Sequence, residues 1–378
     1  IDTIYHSVHA ESIITHGYPS LLLNSDSFHA YHCFSHYLIA WLSIILGLPC
    51  LITYNYIYPI VFFPLFFYLF QKTVLIGKLF FSKNDSLWLI DYLLIMCVIY
   101  GFFRVSVQKK IGYYLYSDIC NSETVLISLV ILFIYFVTIN IGFKKIRNFE
   151  NINCYVAIPL AIIVLSYTKL PVGFIFLLGA SYYTFRKYLF INIKAFCFCE
   201  YFFLWFLFNY ILYSFSSSYS GTIQPEETGL TFFYYVKKYC FHGQVKWALS
   251  HYSFLLLPSI LIIIFSRKKI FVKDFISNRK TIFQEMCFFL IIASFLPGIF
   301  YKINSDSSFG FIIPVYFLSW ILFLSYNLPQ KLYCYYIYIC KNNIIVFKSP
   351  IVLLILILFF SSFVINDLKL SSSVVVTM

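Results

Sequence analysis

Two amphipathic segments open the chain, and long apolar runs follow almost to its end. In the first segment, IDTIYHSVHAESIITHG, Asp2, His6, His9, Ile13 and His16 fall on one face at helical spacing, and Gly17 and Pro19 end the pattern. In the second, His29, His32, His36, Ala40, Ser43 and Gly47 lie within about 80° of arc. The opposite face carries Tyr31, Phe34, Leu38, Trp41, Leu42 and Ile45. The run from Phe34 to Leu48 is short of the roughly 20 residues a membrane span needs. Its polar stripe fits a helix lying in the membrane interface with the apolar side down. On that reading the histidines face an outer cleft.

From residue 52 the periodicity gives way to unbroken apolar stretches. They predict about ten spans, near 52–70, 87–106, 122–142, 153–167, 170–185, 195–213, 247–265, 282–301, 310–327 and 350–367. The pair flanking Thr168-Lys169-Leu170-Pro171 reads as a tight hairpin. The expected fold is all-α, a polytopic helical membrane protein. It divides into an extracytoplasmic loop with two juxtamembrane helices (1–51), a transmembrane bundle (52–367) and a C-terminal tail (368–378).

Composition agrees: 61% of the 378 residues are hydrophobic, 11% are charged, and the mean hydropathy is +0.84. A soluble domain carries about 25% charged residues. The weak alternation of barrel strands is absent, so helices must satisfy the backbone within the membrane. The eleven cysteines are scattered and read as small apolar residues.

Charge orients the chain rather than pointing to nucleic acid, although the net charge is +12. Placing 71–86, 143–152, 186–194, 266–281 and 328–349 in the cytoplasm puts two thirds of the 27 Lys and Arg there. The loop 214–246 and segment 1–51, which has no Lys or Arg, then lie outside, together with all eight histidines. Two acids fall within spans. Asp91 is expected to reach water near a cytoplasmic end, and Glu200 to face protein or a cavity.

Asp2, Glu11, Asp26, His32 and His36 are therefore expected to meet in one outer cleft. A carboxylate there would serve as general base on a sugar hydroxyl. Arg104, Lys169, Lys237 or Lys302 would neutralise a departing lipid phosphate. Each residue also has a plainer reading: Lys169 suits snorkelling to headgroups, and a wet helix face accounts for His29, His32 and His36 as well as a shared metal would.

The Asp, the His a turn later and the Gly fifteen residues after the Asp resemble the first extracytoplasmic loop of GT-C-fold glycosyltransferases. That superfamily includes aminoarabinose and protein mannosyl transferases. The resemblance covers about the first 85 residues, with looser likeness at Ser166–Phe174 and Leu296–Phe311. It implies that Asp2 is the catalytic base, that His6, Glu11, Asp26, His32, His36, Arg104 and Lys169 bind substrate, and that a first span precedes Ile1. It also implies a polyprenyl-linked sugar donor, a glycan or lipid acceptor, and work in surface polysaccharide assembly at a bacterial inner membrane. Asp2 is followed by Thr3-Ile4 instead of a second acid. No metal ligand is assigned, a divalent cation is left open, and Asp26 or Glu11 is the available second carboxylate. The 214–246 loop is similar to that of O-antigen polymerases, a second enzymatic reading. A transporter or flippase of lipid-linked saccharides, or an assembly subunit without a site, are the non-enzymatic alternatives.

Overall fold

The computed structural model describes residues 2–20, 28, 33–82, 87, 89, 91–95, 123–143, 149–188, 193–215, 229–230, 282–302 and 309–326. The chain forms two units, Ile1–Tyr326 and Asn327–Met378, and the second lies outside the described residues. So do the expected spans 247–265 and 350–367, the tail 368–378, and most of 87–106 and 214–246.

The first unit is helical. Helix α1 (Asp2–His16) is followed by α2 (Cys33–Leu46), and α3 (Cys50–Ile52) passes through a π turn (Thr53–Ile57) into α4 (Tyr58–Ser82). Then come α5 (Glu123–Phe143) and α6 (Phe149–Ile152), a second π turn (Asn153–Ala157), α7 (Ile158–Thr168) and α8 (Leu170–Tyr188). A 3-10 turn (Ile193–Phe196) leads into α9 (Cys197–Phe215), and α10 (Ile282–Phe300) and α11 (Phe309–Ser325) are the last of the described helices. One two-residue pairing joins β1 (Gly229–Leu230) to β2 (Tyr301–Lys302), antiparallel, and ties together two loops expected on the same side. Among the described residues three helical stretches, Cys50–Leu79, Phe149–Thr168 and Lys194–Leu212, are long and apolar enough to cross a membrane.

Glycine sets two helix ends. Gly17 at φ 84° caps α1, where its N–H donates to Ile13 O at 2.9 Å. Gly47 at φ 64° closes α2, with Leu48 N–H donating to Ser43 O at 3.1 Å and Gly47 N–H to Ile44 O at 3.3 Å. Both follow the left-handed C-terminal cap, in which the residue past the end turns to satisfy the last carbonyls. The α7–α8 hairpin turns on one extended residue, Lys169, at φ −153° and ψ 103°. Here a Cβ on Gly173 would collide with Ser166, so only glycine lets the two helices approach this closely.

Burial is inverted relative to a water-soluble protein. Ile45, Tyr210 and Ile60 are 77%, 75% and 70% exposed, while Lys78, Asp91 and His9 are fully buried. Apolar surface facing outward and polar groups facing inward is the arrangement that a hydrocarbon solvent selects. The core runs along one stripe of α4 and its π turn, where Tyr54, Tyr58, Phe62, Phe66, Phe70, Val74 and Lys78 recur every fourth residue and are all buried. At its middle Phe66 and Phe70 pack on Phe133 of α5 and Phe317 of α11, with ring centroids 5.3–5.9 Å apart.

That stripe corrects the expected loop at 71–86. The helix runs on to Ser82, because nothing from Gln71 to Ser82 breaks it and Val74 and Lys78 continue the buried face. Asp91 does not reach water either. Its carboxylate accepts a hydrogen bond from Lys78 Nζ, and both side chains are 0% exposed. Glu200 is the opposite case, exposed in the first turn of α9, where a carboxylate complements the helix dipole.

Candidate functional site

The described titratable groups sort to two ends of the bundle. At one end, ion pairs tie helices together. Arg186 of α8 donates from Nε to Glu285 Oε2 of α10 at 2.9 Å, and Tyr182 OH donates to the same oxygen at 3.2 Å. Lys187 Nζ donates to Glu150 Oε1 at 3.1 Å, and Tyr188 OH to Glu150 Oε2 at 3.3 Å. Lys78 and Asp91 lie at the same end of α4 as Gly77, which abuts Ser325 of α11.

The second π turn sits at this end and shows how such a turn is satisfied. Ile158 N–H reaches back five residues to Asn153 O, the π pattern. The next residue, Pro159, has no N–H to offer Cys154 O, and the buried Tyr201 hydroxyl donates to that carbonyl instead, at 2.9 Å. Tyr135 OH donates to Asn153 Oδ1 at 3.0 Å.

At the other end the first π turn repeats the device with different surroundings. Tyr58 N–H bonds to Thr53 O and Pro59 follows. Here the neighbours are α1 and α2. His6 Nδ1 and His36 Nε2 share a hydrogen bond of 2.8 Å, and both rings are buried. His9 stacks on His36 at 5.0 Å between centroids, and His6 stacks on Tyr54 at 6.0 Å. Tyr5 meets His9 edge-on at 4.4 Å. The Thr53 hydroxyl is buried with no hydrogen-bond partner among the described residues. A buried polar atom in that state points to a ligand or water that would complete it.

The polar stripe of α2 is therefore not wet. His36, Ala40 and Ser43 are buried beneath α1 and the first π turn, whereas Trp41, Ile44 and Ile45 are 57–77% exposed. The stripe is polar because its partner is another polar helix face. Glu11 lies on the far side of α1 from Asp2, and its carboxylate approaches the Cys50 thiol, as does the Ser43 hydroxyl. The turn after α1 is pinned separately. Ser12 Oγ donates to Tyr18 O and accepts from Ser20 N–H, at 2.7 and 2.8 Å, and Tyr37 OH donates to Gly17 O at 3.1 Å. Burial pushes the Cys33 thiol at the start of α2 up to about 11, and it also raises Tyr37.

Of the expected site residues, the structure brings His6 and His36 into contact. Asp2 begins α1 on the same helix face as His6. Lys169 sits at the tip of the α7–α8 hairpin, and Tyr167 beside it packs with Cys33 of α2 and Leu212 of α9. Asp26, His32, Arg104 and Lys237 lie outside the described residues, as do His29, His242 and His251. His9, Thr53 and Tyr54 join the site without having been selected as substrate contacts. The aromatic repeat at every fourth residue from Tyr54 was the available signal for the last.

Two ligands on one tetrahedral zinc sit about 3.3 Å apart for Zn–N bonds of 2.0–2.1 Å. The 2.8 Å between the His6 and His36 nitrogens is a hydrogen bond instead. Among the described residues no group of three His, Cys, Asp or Glu is placed to hold a metal ion. The arrangement can bind, share and release protons beside an incompletely bonded hydroxyl. Comparison with known protein families, with curated proteins and with solved structures gives no match.

Proposed function

We propose that this membrane protein is an integral-membrane glycosyltransferase of about ten spans. It takes a sugar from a polyprenyl phosphate or pyrophosphate at the extracytoplasmic face of a bacterial inner membrane, in surface-glycan assembly. The observation that carries this reading is the gathering of His6, His9, His36 and the unsatisfied Thr53 hydroxyl where the first long apolar helix begins. Asp2, on the same face of α1, takes the proton of the acceptor hydroxyl as its oxygen attacks the anomeric carbon. The bond from that carbon to the phosphate oxygen breaks, and Lys169 or Arg104 meets the charge left on the lipid phosphate.

Replacing Asp2 tests this. Asp2→Asn lowers sugar transfer from a purified lipid-linked donor by about a hundredfold or more, the usual loss with a general base, at unchanged expression. Transfer at the wild-type rate would remove Asp2 as the base.

The buried Lys78–Asp91 pair favours a second reading, a transporter of lipid-linked saccharides, because ionisable groups within a membrane helix mark translocation routes. In that case Asp91→Asn stops lipid-linked sugar movement in proteoliposomes, and Asp2→Asn does not.

A further inference from the structure

The histidine cluster carries a consequence whatever the reaction is. We propose that His6, His9 and His36 form a single proton-binding site that latches the N-terminal half of α1 onto α2 and the first π turn, and that acid opens it.

The geometry limits how many protons the site can hold. In the 2.8 Å contact one imidazole nitrogen donates and the other accepts, so the bond survives with two neutral rings or with one imidazolium facing one imidazole. A second proton makes both facing nitrogens donors and sets N–H against H–N. His9, stacked on His36, would add a third charge. Exposure of 8%, 0% and 1% for His6, His9 and His36 keeps water from solvating such charges.

The surroundings define what else can respond. On α1, Tyr5 touches His6 and His9 through its ring, and Asp2 shares their helix face. Glu11 is directed to Cys50 of α3. On α2 the neighbours are Tyr37 and Cys33, and from the π turn Tyr54 stacks on His6. Once α1 lifts, the histidines meet water and take up protons freely. The open state therefore binds more protons, and seating of α1 strengthens as pH rises through the imidazole range.

The C-terminal half of α1 is held by bonds that do not titrate there, from Ser12 and Tyr37 to the Tyr18–Ser20 and Gly17 backbone. The latch therefore opens from the N-terminal end. That gives the experiment an internal control.

Hydrogen exchange of the full chain in phosphatidylcholine nanodiscs, corrected for intrinsic rates, is compared at about pH 7.5 and about pH 5, either side of an ordinary imidazole's pKa of about 6.5. Protection of residues 5–10 falls about tenfold or more at the lower pH, while residues 12–20 keep theirs. His36→Gln and His6→Gln each remove one titrating ring and retain a neutral hydrogen-bonding side chain, so the fall in protection of residues 5–10 between the two values is smaller in those variants. Three results would overturn the latch: pH-independent protection in the wild type, loss spread evenly over the chain, or undiminished pH dependence in both glutamine variants. The readout is the α1 backbone, so it stands or falls independently of any sugar-transfer assay.

Discussion

The two π turns, one hundred residues apart, show one backbone device in two settings. Thr53–Ile57 and Asn153–Ala157 both follow a short α turn, and both lead into an α-helix with proline at its second position, Pro59 and Pro159. At Asn153 the turn is closed by phenol hydroxyls and lies among ion pairs, so its partners stay fixed near neutral pH. At Thr53 it lies among imidazoles, and its own hydroxyl has no hydrogen-bond partner among the described residues. A π turn is often a functional feature. Here one lies among ion pairs, and the other lies against the histidine cluster.

The contrast can be broken most severely at the anchored end. Lys78→Met leaves Asp91 buried without its cation and costs about 3–5 kcal/mol, read as a lower unfolding temperature in detergent. The double variant Lys78→Met with Asp91→Leu recovers most of that loss, because an apolar pair of similar volume is tolerated. Gly173→Leu forces α7 and α8 apart at their tip and costs about 1–3 kcal/mol by the same measurement. Tyr201→Phe leaves the Cys154 carbonyl unsatisfied and costs about 1–3 kcal/mol, with α6 and α7 losing exchange protection first. The smallest effect falls at the other turn. Thr53→Val removes a hydroxyl with no described partner, so stability changes by less than about 0.5 kcal/mol, while any activity in which that hydroxyl bonds substrate declines.

The sequence made local events readable. The spacing of Asp2, His6, His9 and His16 located α1, Gly17 and Gly47 marked helix ends, and Thr168-Lys169-Leu170-Pro171 marked the hairpin, because each is decided within a few residues. The charges of the 71–86 stretch misled. Lys72 and Lys78 suggested a wet loop, yet Lys78 lies inside a helix and its partner arrives from Asp91. Arg186 and Glu285, 99 residues apart, could not be paired from spacing at all. For the site, periodicity showed that α1 and α2 have polar faces that could meet, but not that their meeting would bury the histidines instead of opening a cleft. The Tyr201 hydroxyl that completes the second π turn is likewise supplied by a distant helix.

A π turn also sets a phase. It holds one residue more than the α-helix it interrupts, and one residue is about 100° of rotation. The wider turn absorbs that residue, so deleting one residue from Thr53–Ile57 would leave a regular helix of nearly the same length with Tyr58, Phe66, Phe70 and Lys78 still on their present face. The alignment between the histidine end and the Lys78–Asp91 end is therefore kept although the turn holds one residue more. That makes this turn the place where the helix best tolerates losing a residue, whereas the same deletion beyond Tyr58 would swing everything after it by about 100°.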